Sequence, residues 1–229
     1  METIAEGAFD ACTALTSVTL SEGLKTIDKD AFARCTALCA IEIPDSVTSI
    51  GVCAFDGCTA LASAKLPSGL TVLEDSVFFD CSALTSITLP EALTTLEPYA
   101  FAGAGVRSIV LPDSVRVVGN GVFNNSALEH IVLSSSMTSL PSYMLYDCKN
   151  LKSIVLPVSI TRINDKVLGG SIALEIVYYE GSLTDWTTVT AGTDNDPLGE
   201  ATISYYSETN PGETGFSHWR YVDGVPTAW

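Results

Sequence analysis

Apolar residues return along this chain at an almost fixed interval. The aliphatic positions Ile4, Ile27, Ile50, Leu73, Leu96, Val118, Leu140 and Ile163 are separated by 23, 23, 23, 23, 22, 22 and 23 residues. Five places after each stands Phe9, Phe32, Phe55, Phe78, Phe101, Phe123, Leu145 or Leu168, a large apolar column. A fixed period of this length is the signature of a stacked repeat architecture. Within one unit, Ile27, Ala31, Cys35 and Leu38 follow at steps of 4, 4 and 3 with Phe32 beside Ala31, which predicts a short helical turn with one apolar face. Asp28 and Asp75 precede two such turns as candidate caps. The period then changes: "LTSVTL", "LTSITL" and "LKSIVL" predict a short strand. Pro44, Pro67, Pro90, Pro112 and Pro157 close it where a backbone donor is no longer needed. A second aliphatic, Leu24, Val47, Leu70, Leu93, Val115, Met137 or Ile160, leads the chain back to the next anchor.

Each unit thus reads as one coil of a solenoid. The expected fold is a leucine-rich-repeat-like stack of right-handed coils, with a parallel β-sheet on one face, short helical turns on the other and a C-terminal capping module. About eight units of 22–23 residues fill 1–179, and 180–229 is expected to form the cap and an aromatic tail. One unit cannot bury its own apolar side, whereas stacking lets each Phe cover the next, worth about 1.5–3 kcal/mol per side chain. At about 4.8 Å per strand, eight coils give a sheet about 35 Å wide. The two 22-residue units shorten between Phe101 and Val106 and between Phe123 and Leu128, in the outer turn, so strand register is kept.

The segments "IDKDAFARCTALCAIEIP" and "LEDSVFFDCSALTSITLP" carry the pattern I-x-x-x-A-F-x-x-C-x-x-L-x-S-I-x-L-P. It resembles the BspA-type leucine-rich repeats of bacterial surface proteins over residues 4 to about 179, in eight copies. "VYYEGSLTDWTTV" and "NDPLGEATISYY" are similar to the non-repeat module that closes such arrays in gut anaerobes. The resemblance implies an extracellular, cell-surface scaffold that binds host or microbial proteins, and it brings no catalytic residues with it. The start "METIAEGAF" has no secretion signature, and no wall anchor is visible. Either the protein is cytosolic or it is a trimmed piece of a longer secreted chain; Ile4 and Phe9 look uncapped, so the second is the expectation.

Composition narrows the partners. With 27 acidic against 11 basic residues among 229, the formal charge is -16, which repels phosphate backbones and anionic membrane surfaces. No apolar run reaches the length of about 18 residues that a membrane span requires. The expected partner is a protein or other surface macromolecule, with no nucleic acid and no membrane insertion.

Seven cysteines in a secreted chain would suggest bridges and a leftover thiol. Cys12, Cys35, Cys58, Cys81 and Cys148, however, share one column, which Ala104, Ser126 and Ser171 fill elsewhere. Such a column calls for modest volume rather than sulfur, and buried free thiols are the expectation. Bridges between neighbouring members remain an alternative by Cα spacing, although stacked side chains point the same way. A zinc site would need a second converging element, and the CxxC pair is absent.

Little in the chain points to a reaction. His130 occupies an outward strand position in a column otherwise formed by Ser17, Ala40, Ser63, Ser86, Ser108, Ser153 and Ile176, and reads as a surface residue. His218 is the other histidine, and no glycine-rich phosphate loop, HExxH or nucleophile elbow occurs. The expected protein is therefore not an enzyme and has no catalytic residues, cofactor or metal. "TDNDP" has some likeness to a calcium loop but lacks its spacing and closing Glu, so a solvated turn is expected at Asp194–Asp196.

The exposed strand columns say more. One reads Thr19, Glu42, Lys65 and Thr88, then Val110, Val132, Val155 and Tyr178, and beside it lie Arg107, Glu129, Lys152 and Glu175. Apolar surface rimmed by charge is how interaction patches look. Arg107, Val110, Glu129, His130, Val132, Lys152, Val155 and Tyr178 are therefore the candidate partner-binding residues, although β-branched residues also suit strands for local reasons. Past Tyr179 the period stops. Trp186, Val189 and Leu198 are expected to cover the last coil, and "ATISYYS" to add a strand. Trp219 and Tyr221 form the alternative site, a sugar-stacking surface, unless they pack onto the cap.

Overall fold

The structure, a computed structural model, describes residues 2–212 and 215–229; Met1 and two residues of the turn-rich tail, Glu213 and Thr214, lie outside them. Numbering coils by their anchors, Ile4 opens coil one and Ile163 coil eight. The anchors lie in two-residue parallel strands, paired in register as Ile4 with Ile27 and Ile27 with Ile50, and again as Leu73, Leu96 and Val118. The third group pairs Leu140 with Ile163 and Ile163 with Ala191, so a ninth coil follows the eighth.

The second run of each coil builds the main sheet. Ser108–Val110, His130–Val132, Ser153–Leu156, Ile176–Tyr179, Thr202–Tyr206 and Ser217–Val222 lie side by side in parallel, and Val225–Ala228 closes the sheet antiparallel. Ala40–Glu42 and Ser63–Lys65 form a separate pair. Between these blocks Ser86, Ile87 and Thr88 of coil four make no backbone hydrogen bond to either neighbour among the described residues.

The core is the column predicted from the period. Phe9, Phe32, Phe55, Phe78, Phe101 and Phe123 stack with centroid steps of 5.0, 5.4, 5.5, 5.5 and 5.7 Å, their planes within 11°. All but Phe9 are fully buried. The prolines open β-turns: the carbonyl of Pro44 accepts from Val47 N–H at 3.0 Å, Pro67 from Leu70 at 3.1 Å and Pro90 from Leu93 at 3.0 Å. Ser134 takes the same place for Met137 at 3.1 Å.

The expected helical turns differ in kind. Among the described residues no helix forms in the repeats, so Asp28 and Asp75 cap none. Two residues per coil, three and seven places after the anchor, sit in the left-handed region, as Asp30 (φ 55°) and Arg34 (φ 57°) do. Left-handed residues break helix propagation, and the N–H groups divide between two sets of acceptors. Ala31 donates back to Asp28 at 3.3 Å, whereas Asp30, Phe32 and Arg34 donate across to carbonyls of the next coil. The segment is thus a coil-to-coil ladder. Its central rung runs Phe32 to Ala54, Phe55 to Val77, Phe78 to Ala100 and onward to Leu145 with Val167, each at 2.9–3.0 Å.

The thiol column lies beside this ladder. Cys58 Sγ donates to the Phe32 carbonyl at 3.1 Å, Cys81 to Phe55 at 3.2 Å and Cys148 to Phe123 at 3.0 Å. Ser171 Oγ does the same to Leu145 at 2.6 Å. Small volume is therefore joined by a donor to the preceding coil at Cys35, Cys58, Cys81, Cys148 and Ser171, whereas Ala104 supplies volume alone. All seven cysteines are free, with Cys12 and Cys39 exposed and Cys53 half-buried.

The closing segment ends the ladder. Asn195 is buried, and its side-chain carbonyl accepts from Leu168 N–H at 2.9 Å. Its amide donates to Asn164 O at 2.8 Å and Gly192 O at 3.1 Å. The helix Asp196–Glu200, with Pro197 in its first turn, then turns the backbone away. "TDNDP" is thus more than a solvated turn, since its asparagine is a built part of the cap. Trp186, Val189 and Leu198 pack partly buried on the last coil, Trp186 edge-on to Tyr179 at 5.1 Å. The final hairpin turns at Asp223–Gly224 (φ 51° and 78°), the backbone of a type I′ turn. Trp229 N–H points inward to His218 O at 3.1 Å, so by alternation the Pro226 position faces the open edge. A proline there removes a donor from the exposed strand and blunts it against pairing.

Candidate functional site

The outer face of the main sheet holds the candidate patch. Val110, Val132, Val155, Tyr178 and Ser204 are register partners, one from each of coils five to nine. Strand alternation puts all five on the side facing away from the Phe column. Val110 is 61% exposed, and Val132 and Tyr178 are half-buried. Val155 is 3% exposed, so it forms the floor of the patch and offers no free surface, unlike the outward position expected from the sequence.

Charge lines one margin. Glu129 takes Lys152 Nζ at 3.1 Å on one side and Arg107 at 3.5 Å on the other, a three-coil chain of alternating sign. The Lys152 hydrogen bond, then the Lys152 and Arg107 charges, hold the Glu129 carboxyl below the usual range. In the next column His130 Nδ1 and Ser153 Oγ share a hydrogen bond of 2.8 Å on the exposed surface. The coil-four gap opens two clefts at the other end. One of about 280 Å3 lies between Ile87–Leu89 and Ser108–Val110, so Val110 stands on its wall. The other, about 480 Å3, lies between Ser63–Leu66 and Ser86–Pro90.

The alternative aromatic pair is not open in the way a sugar platform requires. Trp219 is fully buried, its Nε1–H donates to Tyr179 O at 3.0 Å, and Tyr178, Tyr206 and Tyr221 pack on it with centroids 5.4, 5.3 and 4.9 Å away. Tyr221 is 40% exposed, but its hydroxyl is spent on Glu180 at 2.7 Å. Burial, with the Glu180 carboxylate, pushes that phenol up. These rings lock the final hairpin onto the sheet.

Sequence reasoning passed over two features. The coil-four clefts leave no mark in the repeat pattern, because "LTSITLP" is as regular as its neighbours. Tyr99 and Tyr143 on the turn edge were legible as aromatics in a column that elsewhere holds small or polar residues, whereas Tyr146 shares its column with Phe79. Among the described residues no helix is long and apolar enough to cross a membrane.

Solved relatives share this architecture. A leucine-rich repeat protein from Bacteroides ovatus is 21% identical over 95% of this chain and 69% of its own, with a TM-score of 0.56. The T. pallidum leucine-rich repeat protein is 26% identical over 78% of this chain and 73% of its own, also at 0.56. None of the curated proteins matches the chain. The family model of the BspA type leucine rich repeat region matches residues 1–104 and 73–190, in six copies. With its ladder, stacked Phe column and in-register strands accounted for by that repeat, the chain belongs to the BspA-type leucine-rich repeat family.

Proposed function

We propose that this chain is a non-catalytic binding scaffold of the bacterial cell surface, which engages a partner protein through the outer strand face of coils five to eight. One observation carries the reading: Val110 stands 61% exposed in register with half-buried Val132, on the wall of an open cleft. A rigid sheet orders little on binding, so an apolar centre with a charged rim keeps most of its interaction energy. The Arg107–Glu129–Lys152 chain lies at the rim, where charges set orientation and on-rate more than affinity. The family supports the surface location and the protein partner. Residues 180–229 serve as the cap that keeps the last coils folded.

The test is capture from host mucosal or bacterial surface extracts by the wild-type protein and by Val110→Glu and Val132→Glu. Loss of the same captured species in both variants, with unchanged melting, supports the face. Undiminished capture removes it.

A further inference from the structure

The opposite edge of the solenoid carries an aromatic surface that the strand-face reading does not use. Three places after the anchor, where the backbone is left-handed, successive coils hold Gly7, Asp30, Cys53, Ser76, Tyr99, Gly121, Tyr143 and Lys166. Bulky residues are poor occupants of that backbone. Tyr99 (φ 57°) and Tyr143 (φ 62°) nevertheless hold it as residues 40% and 36% exposed, with Lys166 Nζ 5.6 Å from the Tyr143 ring centroid, so core packing does not repay the conformation.

The coil between them is cut to fit. A Cβ on Gly121 would lie 2.5 Å from Tyr99 Cε1 and 2.8 Å from Cδ1, so the Tyr99 ring rests on a glycine shelf. Tyr146 rests on Gly169 in the same way, at 2.8 and 3.0 Å, and packs edge-on to Tyr143 with centroids 5.5 Å apart. Tyr99 and Tyr143 are two coils apart in one column, about 10 Å by the strand spacing. Asn120 and Asn125 are exposed and Asn124 is half-buried on the coil between, and none of their side-chain amides makes a hydrogen bond among the described residues. Beside Tyr146 a cavity of about 440 Å3 is bounded by Lys166, Gly169, Asp194 and Glu200.

We propose that this edge, centred on Tyr99, Tyr143 and Tyr146, is a binding site for a neutral oligosaccharide. A pyranose presents one face of C–H groups and a rim of hydroxyls. Exposed tyrosine rings supply flat, rigid, amphipathic area at low entropic cost, and free amides and carboxylates supply both donors and acceptors for the rim. Two rings about 10 Å apart stand farther apart than neighbouring pyranoses in a chain, so they suit alternate units of an oligosaccharide rather than a single sugar. The ligand is neutral because Asp194, Asp196 and Glu200 outnumber Lys166 around the cavity, in a protein with net charge -16.

The experiment is a printed array of neutral, sialylated and sulfated glycans, followed by calorimetric titration of the tightest-binding neutral oligosaccharide. Tyr99→Asn and Tyr143→Asn remove the rings while keeping a residue that tolerates the left-handed backbone. Expected is binding confined to neutral glycans, weakened at least about tenfold (about 1.4 kcal/mol) in each variant, with the melting temperature preserved. Val110→Glu and Tyr221→Ala leave it intact. Binding to no neutral glycan, binding that survives the double variant, or binding abolished by Tyr221→Ala overturns the proposal.

Discussion

The side chain of Asn195 stands where the backbone of a further rung would be, its carbonyl accepting Leu168 N–H at 2.9 Å. In every earlier coil from Phe32 to Leu145 that acceptor is a backbone carbonyl of the next coil. Asn195→Ala therefore orphans a buried donor and strips the Asn164 carbonyl of its partner. The expected loss is about 1–3 kcal/mol, read as a lower midpoint in urea with little change in slope. An unaltered midpoint would mean that the ladder needs no terminator.

Gly121 answers to two demands at once, a φ of +66° and the Tyr99 ring above it. Gly121→Ala is expected to cost at least about 1–2 kcal/mol from the backbone alone, with a steric part added. In a Tyr99→Asn background the steric part vanishes, giving a coupling of about 0.5–3 kcal/mol in a double-mutant cycle. Additive losses would place the ring elsewhere.

Burial pushes the thiols of Cys58 up to about 12 and of Cys148 to about 11, from a reference of 9.0. Iodoacetamide at pH 8 should thus label Cys12 and Cys39 in the native protein and spare Cys35, Cys58, Cys81 and Cys148, as mass spectrometry of the peptides would show. The linkage sign follows from the raised values. Above about pH 9 the unfolded thiols lose protons that the native state keeps, so the unfolded state binds fewer protons and stability falls as pH rises toward 12. Rapid labelling of Cys81 without unfolding would contradict this placement.

Val110 and Val155 occupy one column, yet they are 61% and 3% exposed. Val110→Glu should shift stability by no more than about 0.5 kcal/mol. Val155→Glu buries a carboxylate without a partner and should lower the melting temperature sharply. Equal tolerance at both sites would show that Val155 is surface after all.

The stack was legible because burial repeats: a column that must be dry in every coil shows itself as a period, and Phe32 to Phe123 do so directly. The left-handed positions were not, since Asp30, Arg34, Ser76 and Lys166 share no chemistry and only glycine would have signalled them. The cysteine column revealed its size but hid its donor role, which needs the Phe carbonyl of the preceding coil to be seen. In the candidate patch the column of Val110, Val132 and Tyr178 was visible from alternation. The burial of Val155 and of Trp219 was not, because it depends on tertiary contacts that strand alternation does not encode.

The most direct test of the stacked core is an NMR spectrum of the protein labelled at its eight phenylalanines. Ring-to-ring contacts are predicted in the order Phe9, Phe32, Phe55, Phe78, Phe101, Phe123, with none that skips a coil. A contact between Phe32 and Phe78, or solvent-exposed resonances from Phe55 or Phe78, would contradict it.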